Sequence, residues 1–157
     1  MGKAVYIVLP TKKYAALPIA NTQSYRSVAP NPKRTIRRML KPVQKVLIIE
    51  EVPAMRRLLR SLLDGLELVV DECHDGREAL AVCAAQQPDW VVLDLNLSDT
   101  DALAATRQIR LSHPLTRVVI VSDDDNLLLR EAARSAGACD YVLKENLLAL
   151  RQRLQAE

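Results

Sequence analysis

The sequence predicts an α/β fold: a five-stranded, doubly wound parallel sheet of the (βα)₅ type with strand order 2-1-3-4-5. Two observations lead to this prediction. From residue 45 onward, five short apolar runs alternate with segments of amphipathic, helical character. Such runs are typical of strands covered on both faces, and strict alternation with helices is typical of a parallel sheet. The connections are short, which favours right-handed crossovers with helices on both faces of the sheet.

The five predicted strands are short, and most are rich in Val and Ile. In chain order they are KVLII (45–49), LELVV (66–70), WVVLD (90–94), RVVIV (117–121) and YVL (141–143). In a doubly wound sheet of this order, ligands bind beyond the carboxyl ends of strands 1 and 3, where the strand order reverses. The residues that follow these two strands are therefore the first candidates for function.

Five predicted helices follow the strands. The first begins at Pro53 and ends before Gly65, as Pro at a helix start and Gly at a helix end predict. Its apolar face holds five residues at helical spacing: Met55, Leu58, Leu59, Leu62 and Leu63. The other four helices are predicted over residues 77–87, 101–111, 126–136 and 146–155.

The chain changes composition near residue 45. Residues 1–45 contain ten Lys and Arg and no Asp or Glu, whereas residues 46–157 contain twelve basic and nineteen acidic residues. We expect residues 1–44, with five of the eight prolines, to be a disordered basic extension and residues 45–157 to be one folded domain. A transit peptide and a weak nucleic-acid-binding arm stay open as alternatives for the extension.

Composition also limits the location and the partners. No apolar run approaches the roughly 20 residues of a membrane span, and the N-terminal run AVYIVL is short for a secretion signal. The three cysteines are odd in number and widely spaced, so we expect buried free thiols in a reducing cytoplasm: Cys73, Cys83 and Cys139. The acidic domain is not expected to bind nucleic acid specifically, because phosphate contacts need clustered Lys and Arg.

Acidic residues end the two strands that flank the expected ligand site. Glu50 and Glu51 follow strand 1, and Asp94 ends strand 3. Three carboxylates at close range repel one another unless a cation lies among them. Carboxylate and carbonyl oxygens without nitrogen or sulfur ligands favour a hard ion, so the sequence predicts Mg²⁺.

Two further side chains are expected at the same edge of the sheet. Ser122 follows strand 4 and Lys144 follows strand 5. A lysine ammonium can contact phosphate oxygens, and a hydroxyl can donate to one. Asp94 is then placed as a nucleophile that accepts a phosphoryl group.

Residues 45 to about 155 resemble a response-regulator receiver domain, which has a flavodoxin-like fold. The resemblance rests on four motifs in order: Glu50-Glu51 followed by VP, the loop DLNLSDTDAL, the segment VVIVSD and the segment GACDYVLKEN. It implies a role for each matching residue: phospho-acceptor Asp94, metal ligands Glu50, Glu51, Asp94 and the Asn96 carbonyl, catalytic Lys144 and Ser122, and switch residues Ser122 and Tyr141.

The resemblance also implies partners. A histidine kinase or a phosphotransfer protein would donate the phosphoryl group, and a downstream protein would respond to it. We expect that partner on the face around Tyr141 and the last helix, whose leucines exceed what one flank of the helix needs for its own core: Leu147, Leu148, Leu150 and Leu154. A homodimer is left open, and no catalysis is expected beyond the domain's own phosphoryl transfer and dephosphorylation.

Three positions depart from the family pattern. Glu51 stands where Asp is usual, and Ser98 and Ala102 stand where Pro and Gly are usual; we expect these last two to loosen the loop after Asp94. Two alternative functions therefore stay open. One is a degenerate receiver that acts as an interaction module without phosphorylation. The other is a Mg²⁺-dependent aspartyl-phosphate phosphatase, although its usual second acid would stand where this chain has Asn96.

Overall fold

The computed structural model describes residues 42–156, in which five parallel strands alternate with five α-helices. The strands are β1 Gln44–Ile49, β2 Leu68–Cys73, β3 Trp90–Asp94, β4 Arg117–Ser122 and β5 Asp140–Leu143. The helices are α1 Pro53–Leu62, α2 Ala79–Gln86, α3 Ala102–Ser112, α4 Leu127–Ala136 and α5 Leu147–Gln155, with a 3₁₀ turn at Lys144–Asn146. The strand order is β2-β1-β3-β4-β5, which confirms the predicted fold class. Of the basic extension predicted over residues 1–44, residues 1–41 lie outside the described residues, and Gln44 already belongs to β1.

The sheet separates two apolar layers. Leu47 and Ile49 face the layer beneath α2, α3 and α4, whereas Val46 and Ile48 face the layer beneath α1 and α5. This division follows from the alternation of side chains along a strand. All four residues are at most 1% exposed, so β1 is buried on both faces and this packing holds its carboxyl end in place.

Strand β2 begins two residues later than predicted and continues further, to Cys73. The apolar Leu66 is still part of the turn after α1, since its N–H donates to Leu63 O at 3.1 Å. The polar end of the strand is tolerated because β2 is an edge strand. There Glu72 forms salt bridges with two arginines of α1, Arg56 and Arg60, at 3.1 and 3.0 Å.

Two predicted apolar faces need correction. Leu58 of α1 is 51% exposed, whereas the other four residues of the predicted face pack into the layer beneath α1 and α5: Met55, Leu59, Leu62 and Leu63. In α5, Leu147, Leu150 and Leu154 are core residues, at 8%, 0% and 3% exposure, and only Leu148 is exposed, at 64%. The predicted surplus of apolar side chains on the last helix is therefore wrong, since three of the four leucines fill the layer beneath α1 and α5.

The cysteines also differ from expectation. Cys73 and Cys83 are buried free thiols, as predicted, but Cys139 is exposed. Cys139 lies in the connection that leads into the edge strand β5. Within residues 42–156, none of the helices is long and apolar enough to cross a membrane.

Candidate functional site

The register of the sheet brings four of the predicted site residues to one edge. Glu50 directly follows β1, Asp94 ends β3, Ser122 ends β4 and Lys144 directly follows β5. Three residue pairs set this register: Ile49 with Leu93, Asp94 with Val121, and Ser122 with Leu143. Parallel neighbours end at the same edge, so the strand ends alone place these side chains together.

Lys144 is the centre of this group. Its Nζ lies 3.0 Å from Asp94 Oδ1 and 3.4 Å from Glu50 Oε2. Both carboxylates are buried, with Glu50 at 0% and Asp94 at 2% exposure. We call Glu50, Asp94 and Lys144 the lysine cluster; its one ammonium compensates two buried carboxylates, as buried charges require.

The surroundings change the acidity of two groups in the lysine cluster. Burial is the largest effect on Glu50 and raises its pKa, against a hydrogen bond of 2.8 Å from Val52 N–H to Glu50 Oε1. Burial alone would lower the pKa of Lys144. The hydrogen bond and charge of Asp94, together with the charge of Glu50, outweigh that effect, so the pKa of Lys144 is raised. Lys144 therefore stays a cation at neutral pH.

The contacts of Asp94 leave one carboxylate oxygen available. Within residues 42–156, the carboxylate binds through Oδ1, to Lys144 and to the Asn96 N–H at 3.3 Å. These contacts orient the carboxylate from one side. Asp94 Oδ2 is then the oxygen that is free to act as a nucleophile or as a ligand.

Glu51 lies apart from the lysine cluster. Its Oε2 accepts a hydrogen bond of 2.7 Å from Ser98 Oγ, and both of its carboxylate oxygens lie 3.2 Å from the Ser98 N–H. The expectation that Ser98 loosens the loop after Asp94 is therefore wrong, because its donors attach that loop to the end of β1. The structure brings Glu50 and Asp94 together and places the Glu51 carboxylate on the loop instead.

The other side of the same loop is held by the β2–α2 connection. Arg77 lies 3.4 Å from Asp99, and a Cβ added to Gly76 would come within 2.8 Å of Leu97 and Thr100. Further along the loop, Asp101 caps α3, because its side chain accepts hydrogen bonds from the backbone N–H groups of Leu103 and Ala104. The acidic residues after Asp94 thus have structural partners of their own.

Ser122 and Tyr141 meet at one residue of the β4–α4 connection. Asp124 N–H donates to Ser122 Oγ at 3.0 Å, and Tyr141 OH donates to Asp124 O at 2.7 Å. Ser122 is fully buried, Tyr141 is 9% exposed, and the Arg130 guanidinium lies 4.8 Å from the centre of the tyrosine ring. The two predicted switch residues are therefore linked through the backbone of Asp124.

Comparison with known proteins identifies the family. The model of the response regulator receiver domain matches residues 46–155. This chain belongs to the response regulator receiver family. Its resemblance to that family, inferred from the motifs, is confirmed, and with it the assignment to two-component systems.

Relatives and solved structures support the same assignment. The response regulator MprA of Mycolicibacterium vanbaalenii is 34% identical over 114 residues, which are 70% of this chain and 49% of that protein. The transcriptional regulatory protein TrcR of Mycobacterium tuberculosis is 33% identical over 100 residues, 64% of this chain and 39% of that protein. The chain thus spans half or less of these relatives. A LuxR-family two-component response regulator from Aurantimonas has a similar structure, with a TM-score of 0.68, 29% identity, and coverage of 73% of this chain and 84% of that one.

The receiver domain contains two site residues that sequence reasoning missed. Asp123 Oδ2 lies 3.4 Å from Lys144 Nζ, and the acidic run that follows Ser122 was the available signal for it. Arg56 Nη1 donates to Glu50 O at 2.7 Å and so fixes the backbone between the two glutamates. Nothing in the sequence distinguished Arg56 from the other arginines of α1.

The receiver domain has an oxygen-rich donor set that fits Mg²⁺. Within residues 42–156, Glu50 Oε2 is buried with the Lys144 ammonium at 3.4 Å but has no hydrogen-bond partner, and the contacts of Asp94 are made through Oδ1, which leaves Oδ2 available. These two carboxylates, the Asn96 carbonyl and Glu51 are oxygen ligands of the kind that Mg²⁺ prefers. In the part of the chain that the structure describes, however, no group of three or more carboxylate, His or Cys side chains is arranged to hold a metal ion.

Proposed function

We propose that this receiver domain accepts a phosphoryl group on Asp94, with Mg²⁺ as its cofactor, and thereby changes its affinity for a protein partner. The observation that supports the proposal most directly is the lysine cluster, in which the Lys144 ammonium lies 3.0 Å from the Asp94 carboxylate. A buried carboxylate next to a buried cation, at the carboxyl edge of the sheet, suits the capture of an anionic group.

The transfer step follows from the available oxygen of Asp94. Oδ2 attacks the phosphorus of a phosphohistidine on a histidine kinase or a phosphotransfer protein. The new bond joins Oδ2 to phosphorus, the phosphorus–nitrogen bond breaks, and the imidazole leaves with that electron pair and takes up a proton. Lys144 contacts a phosphoryl oxygen and balances its charge. Bound Mg²⁺, held by Glu50, Asp94, the Asn96 carbonyl and Glu51, would neutralise further charge on the phosphoryl oxygens.

The switch would pass through the β4–α4 connection. The Ser122 hydroxyl would donate to the new phosphoryl group, and the Asp124 backbone, which contacts both Ser122 and Tyr141, would shift with it. Such a two-state shift typically changes partner affinity by about 1–3 kcal/mol. Since three of the four leucines of α5 are buried, the partner face would instead contain the exposed leucines of α4 and α5: Leu127, Leu128 and Leu148.

We also propose that the domain performs no catalysis beyond its own phosphoryl transfer and dephosphorylation, and that it acts in the cytoplasm. The family supports a kinase or phosphotransfer protein as donor. The phosphatase alternative lacks the acid that it needs two residues after Asp94, since Asn96 stands there.

The test is phosphorylation by a small donor. Acetyl phosphate with Mg²⁺ should add one phosphoryl group to the protein, read by intact mass, and none to Asp94→Asn. Asp99→Asn is the matched control, because it changes an aspartate of the same loop that is bound to Arg77 instead. Equal labelling of Asp94→Asn and the parent would contradict the assignment of Asp94.

A second candidate function has one observation in its favour. The Glu51 carboxylate is bound by Ser98 and so is not part of a preformed metal site. This favours a receiver that acts as an interaction module without phosphorylation. Beryllofluoride with Mg²⁺ separates the two candidates: stable trapping, read by ¹⁹F NMR, supports phosphorylation, and its absence supports the interaction module.

A further inference from the structure

Glu51 and Ser98 join the two loops that flank the site. Glu51 belongs to the β1–α1 connection and Ser98 to the β3–α3 connection, 47 positions later in the chain. The hydroxyl and the backbone N–H of Ser98 both donate to the carboxylate, and the shortest of these bonds is 2.7 Å. Bonds of neutral donors to an ionised carboxylate are among the stronger hydrogen bonds in proteins.

We propose that this contact is a latch, the Glu51–Ser98 latch, which holds the Glu51 carboxylate away from Glu50 and Asp94. Glu51 must give up the Ser98 donors before its carboxylate can join the other two around a divalent cation. The inference rests on the proposed function, since only a receiver domain that binds a cation needs this third carboxylate.

The geometry supports the latch in three ways. Both Glu51 oxygens are engaged by Ser98, so the contact occupies the atoms that would bind a cation. Glu50 Oε2 lies 3.4 Å from the Lys144 ammonium but has no hydrogen-bond partner in the described part of the chain, so it can still accept a ligand. Glu51 is only half-buried and Ser98 is exposed, so little apolar packing opposes their separation.

The residue types on both sides of the latch are needed for it. A proline at position 98 has neither a backbone N–H nor a hydroxyl, and so has nothing to donate to the carboxylate. An aspartate at position 51 is one methylene shorter and would not reach as far. The two positions at which this chain departs from the family pattern therefore contact each other, which is a reason to treat them as one functional unit.

The latch predicts a coupling between the cation and the loop. If Ser98 and a cation compete for Glu51, then cation binding frees the β3–α3 loop on the Glu51 side. Closure of the latch lowers the affinity for the cation by the same factor by which the bound cation weakens the latch. The Arg77–Asp99 contact remains on the other side of the loop. Ser98 would thus set the cation concentration at which the loop after Asp94 is released.

The first arm of the test uses the protein without metal. The Ser98 amide is followed by ¹H–¹⁵N NMR, since Trp90 begins β3 at the end remote from Asp94 and is a poor optical reporter. In Glu51→Ala, the Ser98 amide proton should move upfield and exchange with solvent about tenfold faster, because its acceptor is lost. An unchanged Ser98 amide would overturn the latch before any metal is added.

The second arm is a titration with Mg²⁺ alone, read by NMR and by calorimetry. Ser98→Ala should bind Mg²⁺ about tenfold more tightly than the parent, because the hydroxyl no longer competes. Ser98→Pro, which removes both donors, should bind at least as tightly as Ser98→Ala. Ser112→Ala is the control, since Ser112 is an exposed serine at the end of α3, outside the site.

The outcomes separate the latch from the proposed function. In the parent, saturating Mg²⁺ should move the Ser98 amide toward its position in Glu51→Ala. If Mg²⁺ binds but Ser98→Ala has unchanged or weaker affinity, the latch is wrong and the proposed function stands. If the parent does not bind Mg²⁺ and Ser98→Pro does, the latch is supported. If no variant binds Mg²⁺, both the latch and the proposed cofactor are refuted.

Discussion

Glu50 and Glu51 are adjacent in the chain but belong to two different halves of the site. The buried half is the lysine cluster, where Glu50 is fully buried and lies 3.4 Å from the Lys144 ammonium. The exposed half is the Glu51–Ser98 contact, where a half-buried carboxylate is held by neutral donors at the surface. Glu50 directly follows β1, whereas Glu51 lies at the bend that leads to α1, so the two neighbours have different surroundings.

The two halves differ in the free energy needed to break their contacts, and therefore in how readily their side chains can move. A buried carboxylate that loses the Lys144 ammonium retains an uncompensated charge, so separating the groups of the buried half costs much free energy. An exposed carboxylate that loses a hydroxyl donor can bind water instead. The buried half can therefore keep Glu50, Asp94 and Lys144 in place, while the exposed half is able to exchange partners. Four predictions test this comparison.

The largest expected effect is the loss of stability when the Lys144 ammonium is removed from the buried half. Lys144→Ala should lower the free energy of unfolding by about 3 kcal/mol, because two buried carboxylates remain without a counter-charge. Glu51→Ala should cost only about 1 kcal/mol, because it removes a half-buried carboxylate whose Ser98 donors can bind water instead. Urea denaturation of both variants in the absence of metal measures the difference, and similar losses would contradict the division into two halves.

A second prediction concerns pH. Burial raises the pKa of Glu50 above its ordinary value of 4.5, so the folded protein binds a proton there more tightly than the unfolded chain does. The unfolding free energy should therefore fall as the pH rises from 4.5 through the raised pKa of the folded state. Glu50→Gln removes this contribution. The difference in stability between the parent and Glu50→Gln, measured without metal across this range, should change in that direction; a flat difference would mean that burial does not govern Glu50.

The buried half was predictable from the sequence and the exposed half was not. The ends of parallel strands meet at one edge, so the order of the strands was enough to place Glu50, Asp94, Ser122 and Lys144 together. The partner of Glu51 depends on which loop donor its flexible side chain reaches, and that donor lies 47 residues away. No periodicity or spacing in the sequence records such a contact.

The same limit explains the errors in the fold. The five strands and five helices follow from apolar periodicity, but the rotation of a helix about its axis is set by packing. Four leucines of α5 were expected to exceed the needs of the core; three are buried and only Leu148 is exposed. The start of β2 was misplaced because the apolar Leu66 still belongs to a turn, whose hydrogen bonds the sequence pattern does not show.

The third prediction measures the exposed half directly. A double-mutant cycle on Glu51→Ala and Ser98→Ala, in the absence of metal, should give a coupling energy of about 1 kcal/mol, because the hydroxyl donates to a charged acceptor at the surface. The same cycle with Ser112→Ala in place of Ser98→Ala should give a coupling near zero. A coupling near zero for Glu51 and Ser98 would show that the 2.7 Å contact adds nothing to the folded state.

The smallest expected effect extends the contrast between buried and exposed groups to the cysteines. Burial raises the pKa of all three thiols, that of Cys83 to about 11, and only the thiolate reacts with iodoacetamide. Cys139 is the exposed thiol, so a reagent reaches it without any opening of the structure, whereas Cys73 and Cys83 react only when the core opens. At pH 8 in the native protein, peptide mapping should find slow alkylation at Cys139 first and almost none at Cys83.

Lys144→Ala should raise the alkylation rates at Cys73 and Cys83 in proportion to its loss of stability, because a less stable core opens more often. Rates at Cys83 that match those at Cys139 in the parent protein would mean that the layer beneath α2 is far more open than the structure describes.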